Sequence, residues 1–417
     1  MKVSLLVIGN EILNGKTTDA NTRFLAEYLM KNHLEFHSVL TVRDNEADIH
    51  AGLDSLLAQS EIIVTSGGLG PTKDDITKGA LATYLKREIV YSKESEEIAI
   101  KSYLRLNRVW PGSEHEYAKL PVGFTALSNS IGFAPSFFVE EQGGLILSGP
   151  GVPREFQAII EDHLLKISNH RRKTQVHYEY ITVRTQKVPE EKIFTEVDPE
   201  LWDKLSQYGD VSSLPAFMGV DICVKIVTPS KEETASQTKK VLDVFRNSPV
   251  HQHVWHYGPE SIEEVILTKT REKKITFGFA ESATGGLISH RITGISGASA
   301  SFMGSVVCYD SGVKIKTLGV NPQTILDKGV VSSETAQEMA QGLREKLAVD
   351  IAISITGIAG PLGGTIEKPV GTVWIGVASK NNSSTEHFKL FGDRDQLKTR
   401  FAQVALLRLL KEVENFA

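Results

Sequence analysis

The sequence predicts an α/β chain of three units: an N-terminal α/β domain, a small α+β connector and a C-terminal α/β domain. Three observations lead there. Short continuous apolar runs of strand length alternate with amphipathic helical stretches near both ends of the chain, the signature of a mostly parallel sheet covered on both faces. These runs end in glycine-rich turns. A compositional break at His170-Arg171-Arg172-Lys173 then opens a middle stretch of different character. The units are read as residues 1–170, 171–255 and 256–417.

In the first unit, residues 3–8 read as a buried strand, and 21–30 as a helix with Phe24, Leu25 and Leu29 on one face. Residues 61–65 form a second strand ended by Ser66-Gly67-Gly68, and 144–147 a third ended by Gly149-Pro150-Gly151. Ligands of such sheets bind at the carboxyl ends of the strands, so these turns are the places to look. In the middle, 220–227 alternates like a half-exposed strand and 232–246 reads as an exposed amphipathic helix. Trp202, Phe217 and Trp255 are read as packing residues. The last unit opens with a helix over 261–273 and has strands at 275–280, 302–309, 351–356 and 371–378. It closes with a helix over 396–413, where Leu397, Phe401, Val404, Leu407 and Leu410 share a face.

Composition narrows the function classes. The net charge of -5 is spread without long single-sign blocks, so no nucleic-acid partner is expected. The two cysteines, Cys223 and Cys308, have no disulfide-framework or zinc spacing. The N-terminal apolar run is too short for a signal peptide, and no run reaches the ~20 apolar residues of a membrane span. A cytoplasmic protein with no membrane partner is expected.

Candidate chemistry gathers at the turns. The strand at 275–280 runs into Glu281-Ser282-Ala283-Thr284-Gly285-Gly286, ahead of a helix from Leu287. A serine on such a corner can present its hydroxyl, with unpaired helix N–H groups beside it for an anion or an oxyanion. Equally, Ser282 or Thr284 is a plain helix N-cap. Tyr309 and Lys314 follow another strand, either as site groups or as a half-buried phenol and a surface amine. Thr356-Gly357-Ile358-Ala359-Gly360 ends a further strand in small residues that let a backbone approach a phosphate. Arg394 or Arg400 could clamp that phosphate or stay solvated. In the first unit, Gly67, Gly68 and Gly70 make a backbone cradle, while Asp74 and Asp75 could bind a divalent metal or cap a helix.

The stretches AESATGG, GVKIKTLGV, KGVVSSETA, TGIAGPLGG, KPVGTVW and GDRDQLKTR, in this order, resemble the C-terminal domain of the CinA (competence/damage-inducible protein A) family, which is similar to nicotinamide-mononucleotide deamidases. The resemblance implies hydrolysis of nicotinamide mononucleotide to nicotinate mononucleotide and ammonia, with no cofactor. It implies Ser282 as nucleophile, Lys314 as general base and Tyr309 as an aid to proton transfer. Thr284, Gly285, Ser299, Thr356, Gly357, Ala359 and Arg394 are implied as substrate contacts. The chemistry is coherent, since an amide is unreactive and a covalent acyl step divides one hard displacement into two. A lysine serves as base only when neutral, and moving its pKa from ~10.4 to about 7 disfavours the charged form by roughly 4 kcal/mol.

The stretches IGNEILNGKTTDANTRFLAEYL, LPVGFTALSNSIGFAPSF and SGPGVPREF, with the glycine cradle, resemble the same family's N-terminal domain, which is similar to molybdopterin-binding proteins. That resemblance implies a metal-dependent ADP-ribose pyrophosphatase requiring a divalent cation. It implies Asp75 and Asp44 at the metal beside Asp74, Glu11, Asn21 and Asn129 at the nucleotide or metal, and the Gly67, Gly68 and Gly70 cradle at the nucleotide. A KH-like connector and a homodimer are implied as well. Alternatives are a molybdopterin-binding protein and a non-enzymatic interaction protein. Three departures from the family pattern stand out: Ala283 where cysteine is common, Asp310-Ser311 after Tyr309, and Arg184-Thr185-Gln186-Lys187 in place of a glycine-containing stretch.

Overall fold

The computed structural model describes residues 1–141, 144–169, 177–216 and 218–416. The break at His170-Arg171-Arg172-Lys173 and Phe217 therefore lie outside the described residues. By compactness the chain divides into two units, Met1–Tyr180 with Lys225–Thr238, and Ile181–Val224 with Lys239–Ala417.

The first unit is built on a six-stranded sheet in the order Glu35–Val42, Lys2–Ile8, Ile62–Ser66, Gly144–Gly149, Ser136–Glu141, Thr125–Leu127. The first four strands are parallel and the last two antiparallel. Lys2–Ile8, Ile62–Ser66 and Gly144–Gly149 are almost continuously buried, as their apolar runs require between two layers of helix. Helix Asn21–Lys31 buries Asn21, Leu25 and Leu29, a strict one-face spacing. The chain leaves Lys2–Ile8 toward one edge and returns to pair Ile62–Ser66 on its other side. The carboxyl ends of these two strands thus form a topological switch point, where a crevice opens.

The middle stretch contributes a four-stranded sheet in the order Asp210–Pro215, Val220–Thr228, His177–Thr185, Val254–Tyr257. Val220–Thr228 alternates between buried and partly exposed positions, and Lys231–Asn247 is helical. Trp202 packs edge-on against Phe194, with ring centroids 5.3 Å apart.

The C-terminal sheet runs Phe302–Val307, Phe277–Glu281, Ile351–Gly357, Thr372–Ser379, Ser383–Lys389. Its first three strands are parallel and the last two antiparallel. The edge strand Ser383–Lys389 was not foreseen, because SSTEHFK carries no continuous apolar run. Helix Arg394–Asn415 covers one face and Ser333–Leu347 the other. The single apolar stripe expected for the closing helix is a correction. Ala402, Ala405, Leu406 and Leu409 are buried too, because the helix lies between the sheet and helix Ile262–Lys273. Phe277–Glu281 is flanked by strands reached in opposite directions, so its carboxyl end is a second switch point.

Candidate active site

Ser282 immediately follows that carboxyl end. Its N–H donates to Ile355 O at 3.0 Å, and Cys308 N donates to Glu281 O at 2.8 Å, so both neighbouring strands hold the residue in place. Three residues after Cys308, helix Ser311–Leu318 begins, capped by the Asp310 side chain. Lys314 lies in its second turn and is only 1% exposed. The Lys314 Nζ donates to Ser282 Oγ at 3.0 Å, to Cys308 O at 2.6 Å and to Tyr309 O at 3.3 Å. Burial is the main cause that pushes the Lys314 pKa below the ordinary lysine value, against smaller upward pulls from Cys308, Asp310 and Tyr309. Among the described residues no carboxylate pairs with the amine; the Asp310 Oδ1 accepts from Gly312 N at 2.7 Å instead.

Two expectations for the 281–286 turn, a serine or threonine cap and a free helix end, are corrected. Neither Ser282 nor Thr284 caps helix Leu287–Thr293, and the helix N-terminus is not free for an anion. Glu281, fully buried, already fills it. Its Oε2 accepts from Thr284 Oγ1, Gly286 N and Ile288 N at 2.8, 3.0 and 3.1 Å. Its Oε1 accepts from Ser289 N at 2.9 Å and Ser289 Oγ at 2.6 Å. Gly286 at the N-cap has φ 96, a backbone conformation suited to glycine. Sequence reasoning gave Glu281 no role, although a carboxylate just ahead of a Gly-Gly helix start was a visible signal.

The other predicted contacts scatter. Tyr309 is 63% exposed and its hydroxyl accepts from Arg394 Nη2 at 3.2 Å, while Arg394 Nη1 donates to Gly360 O. Gly285 borders open space, with a positive φ of 62. Thr284 and Thr356 are buried with their hydroxyls committed, Thr356 to Val330 O at 2.7 Å. Ala359 is a core residue, and Gly357 packs against Thr372–Ser379 too closely for a Cβ. Ser299 is exposed in the turn Ala298–Ala300, before the amino end of Phe302–Val307. Within one chain that is the amino end of the strands, roughly 15 Å of strand from Ser282 at the carboxyl end, at about 3.3 Å per residue. Arg400 turns back to its own loop, donating to Phe391 O.

In the first unit the other switch point opens on a cavity of about 560 Å³. Seven of the predicted residues line it: Glu11, Asp44, Gly67, Gly68, Gly70, Asp74 and Asp75. Gly67 has φ 117, and a Cβ there would lie 2.1 Å from Ile8 O. The cradle therefore requires glycine. Asp74 Oδ1 and Asp75 Oδ2 each lie 2.5 Å from the single Thr72 hydroxyl, which has one proton for two acceptors. Hydrogen bonding from Thr72 holds the Asp74 carboxyl below its ordinary pKa. Asp44 Oδ2 accepts from Asn10 N at 2.7 Å. Asn21 and Asn129 stand behind the cavity wall. Asn21 donates to Ser66 Oγ and Gly151 O, and Asn129 donates to Glu155 Oε2 at 2.6 Å. Glu155 and the aromatic walls Tyr117 and Phe133 were missed, since nothing local in the sequence marks them. Among the described residues no three His, Cys, Asp or Glu side chains converge as a metal cage. The paired carboxylates of Asp74 and Asp75 are oxygen donors of the kind a divalent cation takes.

Residues 259–413 match the family model described as CinA C-terminal domain, and residues 4–170 match that described as probable molybdopterin binding domain. A CinA-like protein of Salinibacter ruber is 34% identical, over 97% of this chain and 98% of its own. A protein of Halothermothrix orenii named as competence-damage inducible is 34% identical over 99% of both chains.

The chain belongs to the CinA family.

A third relative, a CinA-like protein of Kosmotoga olearia, is 31% identical over 97% of both chains. The departures from the CinA pattern now have locations. Ala283 is 7% exposed in the apolar core, so its side chain is packing. Asp310 caps a helix and faces solvent. Lys187 has φ 60, the left-handed backbone conformation that favours glycine. Among the described residues no helix is long and apolar enough to cross a membrane.

Proposed function

We propose that the C-terminal domain hydrolyses the carboxamide of nicotinamide mononucleotide to nicotinate mononucleotide and ammonia by a serine–lysine mechanism. The observation that carries this reading is the 3.0 Å contact between a buried Lys314 Nζ and Ser282 Oγ. A charged amine would satisfy all three acceptors around it. A neutral amine keeps two N–H bonds for Cys308 O and Tyr309 O, which leaves its lone pair directed at the Ser282 hydroxyl. Lys314 then takes the hydroxyl proton as Ser282 Oγ bonds to the amide carbon. The Ala283 amide has no protein acceptor among the described residues and is the available donor to the resulting oxyanion. Lys314 returns the proton to the departing nitrogen, which leaves as ammonia, and Tyr309, steadied by Arg394, assists. Water activated by the same amine cleaves the acyl-serine ester, releasing the carboxylate and restoring Ser282. Ammonia release with product identification tests this, comparing wild type with Ser282→Ala. The variant is expected to be inactive, and wild-type turnover in it would refute the reading.

A second activity, ADP-ribose pyrophosphatase, is supported by the carboxylate-lined cavity beside the Gly67–Gly70 amides. Asp74 and Asp75, with Asp44 nearby, would hold a divalent cation that polarises the diphosphate when bound. The glycine backbone cradles phosphate, and Tyr117 and Phe133 offer flat faces to a base. A cytoplasmic homodimer is the assembly that accompanies this reading.

A further inference from the structure

The second unit holds a cavity of about 320 Å³ that neither proposed activity uses. Half-buried Trp255, Phe388, Met218 and Leu407 give it an apolar wall. Its charged groups are Lys187, Arg408 and Lys411 against Glu386 and Glu414, which leaves one positive charge in excess. Four of the five are in ion pairs. Lys187 meets Glu386 at 3.2 Å, Arg408 meets Glu412 at 3.2 Å, and Glu414 meets Lys269 at 3.2 Å. Lys411 has no ion-pair partner among the described residues.

Lys187 adds a second, independent observation. Its φ of 60 is one that a side chain disfavours. Its ammonium lies 5.6 Å from the Phe388 ring centroid, at the cavity wall. A strained backbone that keeps a long cationic side chain is a pointer to use of that side chain. The volume is about twice that of an apolar cavity that holds benzene, which suits two fused rings. Aromatic and sulfur-bearing walls favour a flat π-system, and the unbalanced cation favours an anionic group beside it.

We infer that this cavity is a binding site for an anion bearing a planar aromatic ring system, separate from the Ser282 site. Two sources share that chemistry, an aromatic carboxylate and a mononucleotide, and the test separates them. The full-length protein is titrated calorimetrically with 2-naphthoate in one arm and AMP in the other, alongside Lys187→Gly and Lys411→Ala. One arm is expected to give saturable one-to-one binding. Lys187→Gly should weaken it about tenfold or more while the melting temperature stays equal or rises, because glycine relieves the backbone. Lys411→Ala, at an exposed position, should weaken it similarly. Absence of saturable binding in both arms up to millimolar concentration overturns the inference, as does affinity in Lys187→Gly within about twofold of wild type.

Discussion

Both carboxylate oxygens of Glu281 are spent on the turn that carries Ser282 and on the helix behind it, with Ser289 alone giving Oε1 two hydrogen bonds, at 2.9 and 2.6 Å. A carboxylate of the chain thus stands where an anionic ligand would otherwise dock on the helix N-terminus. Glu281→Gln replaces one acceptor oxygen by a donor that faces N–H groups. The expected cost is about 2–4 kcal/mol of stability in denaturant unfolding, from lost charge-assisted bonds and unpaired amides. Ammonia release should fall with it at temperatures where the variant is still folded, because the Ser282 turn loses its anchor. A variant as stable as wild type would contradict this account.

Lys314→Met keeps the volume of the buried chain but has no amine. Ammonia release is expected to drop at least about 100-fold, the usual scale for losing a general base. Lys314→Arg should be similarly poor, since guanidinium does not deprotonate in the working pH range.

Burial lowers the Lys314 pKa in the folded chain, so activity should rise with pH through an apparent pKa below the ordinary lysine value. The stability effect has a definite sign. Between the lowered folded value and the ordinary unfolded one, the unfolded chain binds the extra proton, so stability rises with pH across that window. Below it the burial penalty is fully present. Unfolding free energies of wild type and Lys314→Met, compared from neutral to alkaline pH, should converge or cross as pH rises; a difference that does not change with pH would exclude the depressed pKa.

Arg394→Lys retains the charge but cannot hold Gly360 O and Tyr309 Oη through one planar fork. We expect kcat/KM for nicotinamide mononucleotide to fall about tenfold, read from initial rates, and Tyr309→Phe combined with it to add less than its separate effect.

Asp74→Asn with Asp75→Asn should lower magnesium-dependent release of AMP from ADP-ribose by about 100-fold or more, while ammonia release stays within about twofold of wild type. Loss of both activities together would argue against two separate sites.

Much of the fold was legible because buried parallel strands are continuous apolar runs, as at Ile62–Ser66 and Ile351–Gly357. Strands with one exposed face or edge, such as Ser383–Lys389, lacked that signature. The candidate sites were legible where glycine turns mark strand ends. They were not legible where a side chain's fate depends on distant neighbours: Thr356 bonds Val330, and Asn129 bonds Glu155.

The sequence by itself determined the α/β class, the turns at the strand ends and the residue types able to do chemistry, because periodicity and glycine placement are local properties. Tertiary structure alone decided that Lys314 is dry and touches a serine 32 positions away, and that Glu281 rather than a ligand fills the helix end. Burial and partner choice are set by which strands become neighbours, and Ser282 meets Lys314 only because two parallel strands finish side by side.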